Sequence, residues 1–277
     1  MSAQLAYAPA HGRIESAFAH MKAESRTGLV AFLTVGYPDV GSTLRFVPAL
    51  IEGGADIIEL GVPFSDPLAE GPTIQRSSHH ALQQGVTPGL CLDVAAKLRD
   101  LGVEAPLVPM GYYNPMLAYG LAGFTRDAAS AGIDGLIVVD LPPEESAPVR
   151  EACLANDLRL IHLLAPTSTE ERIKLVASMA SGFIYCVSVT GVTGAREALA
   201  PGLERFVNRV RAHTDLPIAV GFGISSPKHF QRVGQIADAA VIGSAIIDEI
   251  DKSDPSQQAA RLKAYAEVVT GQRRAAT

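Results

Sequence analysis

Eight short apolar runs, each followed by a stretch of helical character, constrain this chain of 277 residues more than any other feature. They span residues 28–35, 57–59, 106–110, 136–139, 159–164, 183–187, 217–220 and 239–242. The runs are apolar throughout rather than alternating, so both faces of each strand must be buried. Strands of that kind, separated by helices, form a parallel sheet covered on both sides. Helices are expected at 74–84, 90–101, 121–130, 144–155, 169–179, 201–213 and 226–233, with a long tail helix at 244–268. One further helix, capped by Asp39 or Ser42, carries Leu44, Val47, Leu50 and Ile51; Pro48 falls inside it and should kink it or delay its start. Eight βα units in about 250 residues predict an α/β fold of the (βα)8 TIM-barrel type. An open doubly wound sheet is the alternative, but it would be expected to carry a glycine fingerprint after its first strand, and Gly36-Tyr37-Pro38-Asp39 is not one.

Two additions to the plain barrel are legible. Ile14, Phe18 and Met21 are spaced like one face of an extra N-terminal helix at 13–22. The second and third strands start about 50 residues apart, so the loop after strand two is enlarged. Extra chain in a barrel serves a lid or an added helix, and function should gather there. The whole of 1–277 reads as a single domain, with 1–12 and 270–277 as loose ends.

Composition excludes several roles. The net charge is −6 and no basic run is longer than Arg273-Arg274, which argues against nucleic-acid binding. Cys91, Cys153 and Cys186 form no CxxC pair and read as buried thiols of a reducing compartment. Neither a signal peptide nor an apolar run of membrane-spanning length is visible, so a cytoplasmic protein without membrane contact is expected.

Barrel enzymes work at the carboxyl ends of their strands. No lysine stands there, which disfavours a Schiff-base mechanism. His79, His80 and His162 fall on a helix and in mid-strand, so no metal-binding cluster is expected. Glu59 closes the second strand, Glu70 lies in the enlarged loop and Asp140 closes the fourth; these are the acid–base candidates, with Asp140 also able merely to order its turn. Gly-rich turns follow strands six, seven and eight, at 188–194, 221–225 and 243–244. Their exposed N–H groups, with a helix opening at Ser244, make a phosphate site.

The segments TVGYPD (34–39), ELGVPFSDPLAEGPTIQ (59–75), MGYYNP (110–115), GLIVVDLPPEE (135–145), YCVSVTGVTG (185–194) and GFGIS (221–225) closely resemble the tryptophan synthase α-subunit family over about residues 13–268. The resemblance implies a carbon–carbon lyase of L-tryptophan biosynthesis that cleaves indole-3-glycerol phosphate to indole and glyceraldehyde 3-phosphate, with no metal or cofactor of its own. It assigns the proton shuttle to Glu59 and the acceptor for the indole N–H to Glu70, where the family usually carries Asp. It places Phe32, Ile74, Tyr112, Ile137 and Leu163 around the indole, Tyr185 near Glu59, and Thr193 as a lid residue. Gly194, Phe222, Gly223, Gly243 and Ser244 align with the phosphate site. Pro63, Asp66 and Asn114 match the face that meets the β subunit, the partner that holds pyridoxal phosphate in an αββα complex. Two other readings are a subunit that mainly activates its partner and a stand-alone indole-releasing lyase.

Overall fold

The computed structural model describes residues 12–188, 202–221 and 223–272. Its strands are β1 (Gly28–Thr34), β2 (Ile57–Gly61), β3 (Leu107–Gly111), β4 (Gly135–Val138), β5 (Arg159–Leu164), β6 (Ile184–Val187), β7 (Ile218–Gly221) and β8 (Ala239–Ile242). Each pairs in parallel with the next, and β8 returns to β1 in the register Gly28 with Ala239, closing the barrel. Closure leaves no free edge.

The uniform apolarity of the strands has a two-sided cause. Side chains at alternate positions point to opposite faces. Val30 and Phe32, Ile57, Val108 and Met110, Ile137, Ile161, Tyr185, Ala219 and Val241 form an inner cluster. Their neighbours, such as Leu29, Ala31, Leu33, Ile58 and Leu60, join the outer layer between sheet and helices. The foot of the inner cluster is closed by α1 (Arg13–Ala23), whose Ile14, Phe18 and Met21 are buried there. A Cβ at Gly28 would fall 2.0 Å from Met21 Sδ, so glycine here lets the Met21 side chain lie against the start of β1.

The turns that lead into the even strands share one device. Before β2, Asp56 accepts the N–H of Leu29 at 2.9 Å, reaching back to the start of β1. Asp134 does the same for Leu107 at 2.8 Å, and Asp238 for Ile218 at 2.8 Å. Arg26, Arg99 and Arg211 pair with these three carboxylates. Before β6 a hydroxyl replaces the acid: Ser181 Oγ accepts from Leu160 N at 2.9 Å. A first or second N–H of each odd strand is thereby satisfied at the amino-terminal end of the barrel, the end that carries stability rather than chemistry in this fold.

Around the sheet run α2 (Val40–Glu52), α3 (Pro72–Gln83), α4 (Pro88–Asp100), α5 (Tyr113–Tyr119), α6 (Leu121–Ser130), α7 (Ala147–Ala155), α8 (Glu170–Met179), α9 (Leu203–Arg211), α10 (Pro227–Gly234), α11 (Ser244–Lys252) and α12 (Gln258–Thr270). The long gap after β2 holds a ten-residue loop, 62–71, and the added helix. Three helical expectations are corrected. Pro48 does not delay α2: Asp39 caps it by accepting Ser42 N at 2.8 Å, and burial of Phe46, Val47 and Leu50 holds the helix where proline removes one N–H. The tail helix is two helices, because Ser253 is extended and Pro255 follows shortly after. The second of them runs through Thr270, into the expected loose end. Finally α5 went unread, since Pro115 and Gly120 obscure its pattern. Among the described residues no helix is long and apolar enough to cross a membrane.

Candidate active site

At the carboxyl end of the barrel a pocket with about 370 Å³ of empty space, part of it open solvent, is lined by Phe32, Glu59, Glu70, Ile74, Met110, Tyr185, Val241, Gly243 and Ser244. Alternation builds its floor. Glu59 has the same inward parity as Ile57, and in register it stands beside Phe32 on β1 and Val108 on β3. A carboxylate in that position is fully buried, with a relative exposure of 0 %. Neither of its oxygens has a hydrogen-bond partner among the described residues. Burial, followed by the charge of Glu70, pushes its pKa up to about 8. A buried acid without partners costs several kcal/mol, by about the magnitude seen for unpaired buried polar groups, and no hydrogen bond among the described residues offsets that cost. Such a group belongs to a site.

The loop after β2 delivers Glu70 to the cavity wall. Val62 N donates to Met110 O at 2.8 Å and Phe64 N to Ser78 Oγ at 3.0 Å, which pins the loop's first half to β3 and α3. Phe64 stacks on Tyr112 with ring centroids 4.9 Å apart. Tyr112 then organises the second half: its hydroxyl accepts from Ala69 N at 3.0 Å and donates to Glu70 Oε1 at 3.3 Å. Glu70 is 7 % exposed, and burial lifts its pKa to about 7 against the lowering effect of the Tyr112 bond. The next residue, Gly71, caps α3 at φ −79°, a conformation open to any residue. The longer acid is therefore met by Tyr112, not by a special backbone at Gly71.

Tyr185 completes this end. It is buried, and burial followed by the charges of Glu59 and Glu70 holds its phenol in the protonated form. A Cβ at Gly221 would lie 2.2 Å from the Tyr185 hydroxyl, so the glycine makes room for the ring. Gly243 serves Phe32 similarly, at 3.1 Å. At the other end of the cavity, α11 opens at Ser244 with its amino terminus facing the same space. The turn after β7 adds Gly223 at φ +78°, with nothing within 4 Å of where a Cβ would stand.

The cavity thus unites two acids, a phenol, an apolar wall and a helix amino terminus suited to an anion. Among the expected residues, Phe32, Glu59, Glu70, Ile74, Tyr185, Gly243 and Ser244 line it directly, and Tyr112 touches it through Glu70. Ile137 belongs to the same inner cluster without reaching the cavity. Leu163 packs on the inner cluster, in register with Tyr185, but lines a neighbouring depression with Asp140 and Pro143 rather than this cavity. Asp140 is not a third acid of the site; its carboxylate accepts Tyr113 N at 2.8 Å and joins the end of β4 to α5. Asp66 and Asn114 are exposed, whereas Pro63 is buried inside this chain and is not a surface residue. Thr193, Gly194 and Phe222 lie outside the described residues. Met110 and Val241 were missed; counting back two residues from Tyr112 and Gly243 would have found both. No three His, Cys, Asp or Glu side chains gather into a metal site among the described residues.

Comparison with known proteins agrees with this geometry. A family model for the tryptophan synthase alpha chain matches residues 18–275. The tryptophan synthase alpha chain of Roseiflexus castenholzii is 52 % identical over 259 residues, covering 94 % of this chain and 99 % of that one. The tryptophan synthase of Saccharomyces cerevisiae is 49 % identical over 236 residues, covering 85 % of this chain and 33 % of that longer protein. Among solved structures, tryptophan synthase from Mycobacterium tuberculosis superposes with a TM-score of 0.86 at 36 % identity, covering 96 % of this chain and 99 % of that one. The alpha subunit from Legionella pneumophila gives 0.85 at 34 %, covering 95 % and 100 %. With its barrel and its sequence both matched over nearly full length, the chain belongs to the tryptophan synthase alpha chain family.

Proposed function

We propose that this chain is the lyase of its family: it cleaves indole-3-glycerol phosphate to indole and glyceraldehyde 3-phosphate, the alpha reaction of L-tryptophan biosynthesis. The observation that carries the reading is Glu59, a fully buried acid whose two oxygens have no partner among the described residues, at the floor of an apolar cavity.

The reaction needs a proton at indole C3, an acceptor for the ring N–H, and a base for the hydroxyl on the carbon attached to C3. Burial raises both acids, and the charge of Glu70 raises Glu59 further while the Tyr112 hydroxyl favours the ionised form of Glu70, which biases the proton toward Glu59 and the negative charge toward Glu70. Glu59 therefore begins as the acid. It protonates C3, and the positive charge that develops on the ring nitrogen is met by the Glu70 carboxylate. The Glu59 carboxylate then takes the hydroxyl proton. The C–C bond breaks, its electron pair restores the indole ring, and the hydroxyl carbon becomes the aldehyde. Glu59 ends with its proton back, so no other acid or base is needed. Phe32, Ile74 and Met110 exclude water around the indole, while Gly243, Ser244 and Gly223 receive the phosphate.

The chain uses no cofactor of its own, and its partner is the pyridoxal-phosphate β subunit that consumes the indole. Leu68, 90 % exposed on the loop that carries Glu70, and exposed Asp66 and Asn114 support a partner face beside the cavity. We read 1–277 as one barrel domain, and three buried free cysteines support the cytoplasm as its compartment. Indole release from indole-3-glycerol phosphate tests the reading, with the chain alone and with a β subunit added. Turnover that rises with the partner supports it. Turnover unaffected by the partner would favour a stand-alone lyase, and none under either condition would refute the lyase reading.

A further inference from the structure

Among its described residues, the turn between β7 and α10 is held from outside by few contacts. It includes Gly223 at φ +78°, a residue with wide conformational freedom, and ends at Ser226, whose side chain caps α10 by accepting His229 N at 3.3 Å. Two contacts reach it from outside the strand and helix it joins. Ile224 is buried in the outer core, with 4 % exposure. The carbonyl of Ser225 accepts a hydrogen bond from the hydroxyl of Tyr265, at 3.1 Å. Tyr265 belongs to α12, at the far end of the sequence, and its ring packs against the same outer core. Asp248 and Glu249 of α11 lie near this hydroxyl, and with burial they keep it protonated and therefore a donor. Tyr265 thus stands between the turn after β7 and α11, the helix whose first residue, Ser244, lines the cavity.

We propose that Tyr265 is a positioning residue for the phosphate end of the site: by holding the Ser225 carbonyl it sets the Gly223 turn against α11, and so sets the affinity for the phosphate-bearing substrate. The inference rests on the assignment of Gly223, Gly243 and Ser244 to the phosphate. The hydroxyl itself touches only backbone, so it influences binding without meeting the reacting atoms. That separates it from Glu59, Glu70 and Tyr112.

Tyr265→Phe keeps the ring and removes the one bond. In the full chain, the affinity for inorganic phosphate is measured by calorimetry, alongside KM and kcat for indole-3-glycerol phosphate and the thermal midpoint. Loss of one neutral hydrogen bond to the turn should weaken phosphate binding and raise KM by about 3- to 10-fold, with kcat changed less than about twofold. A role confined to stability would lower the midpoint and leave KM and phosphate affinity alone, and that result overturns the inference. So does a fall in kcat at unchanged KM. If wild-type protein binds phosphate and the variant binds it equally well, the inference alone fails. If wild-type protein does not bind phosphate, the phosphate assignment fails with it.

Discussion

Replacing Glu59 by Gln tests the electrostatic argument through stability as well as rate. The carboxyl is fully buried, and its pKa rises from the ordinary 4.5 to about 8 on folding. Between those values the folded state holds a proton that the unfolded chain has already lost. Stability therefore falls as pH rises through this window, by about 1.4 kcal/mol per pH unit. Below the window Glu59 contributes no ionisation penalty, and above it that penalty is constant at about 5 kcal/mol. Gln keeps the shape and does not titrate; whatever its buried amide costs, that cost is the same at every pH. Urea unfolding of both proteins from about pH 5 to about pH 8 should show the stability difference shifting steadily in favour of Glu59→Gln, by several kcal/mol over the range. Indole formation should meanwhile fall by about 10² to 10⁴. The variant would then gain relative stability as pH rises while remaining almost inactive. A stability difference that is flat with pH would mean Glu59 titrates normally in the folded protein, and the buried-acid argument would be wrong.

Other positions make independent predictions. Glu70→Ala should abolish indole formation, while Glu70→Asp should keep a substantial fraction, because Asp restores the usual family residue; an active Glu70→Ala protein would remove Glu70 from the chemistry. Gly221→Ala places a methyl 2.2 Å from the Tyr185 hydroxyl, so the buried ring must move, at a cost of about 1–3 kcal/mol in thermal unfolding together with a loss of turnover. Unchanged turnover there would mean that the placement of Tyr185 is immaterial. Asp134→Ala removes the partner of Leu107 N and of Arg99 at the amino-terminal end of the barrel, and should cost about 2–4 kcal/mol in urea unfolding with KM unchanged for the folded protein. A large rise in KM would contradict the division between a stabilising end and a chemical end.

The barrel was legible because it rests on local signals. Apolar runs of strand length, turns with Gly and Asp before them, and helical spacing between them are written residue by residue, and eight of them leave few ways to bury both faces of every strand. The same signals placed Glu59 at a strand end and Glu70 in the one oversized loop. The failures were local too: Pro115 and Gly120 hid α5, and an apparently continuous tail was broken before Pro255. Pro48 was overruled by packing, because a buried helix face outweighs the loss of one N–H.

What the sequence determined by itself, then, is the closed parallel barrel, the two acids and the family, since each follows from residue type, order and spacing. What only the tertiary structure decided is how distant residues meet. No spacing rule says that Tyr112 holds the loop of Glu70, that Gly221 makes room for Tyr185, that Leu163 lines a neighbouring depression rather than the cavity, or that Tyr265 reaches the turn at Ser225 from the last helix. Those relations depend on the stagger of the strands and the angle of each helix on the sheet. The pKa values of Glu59 and Glu70 depend on them as well, because desolvation is a property of everything packed around a carboxyl and not of its neighbours in the chain.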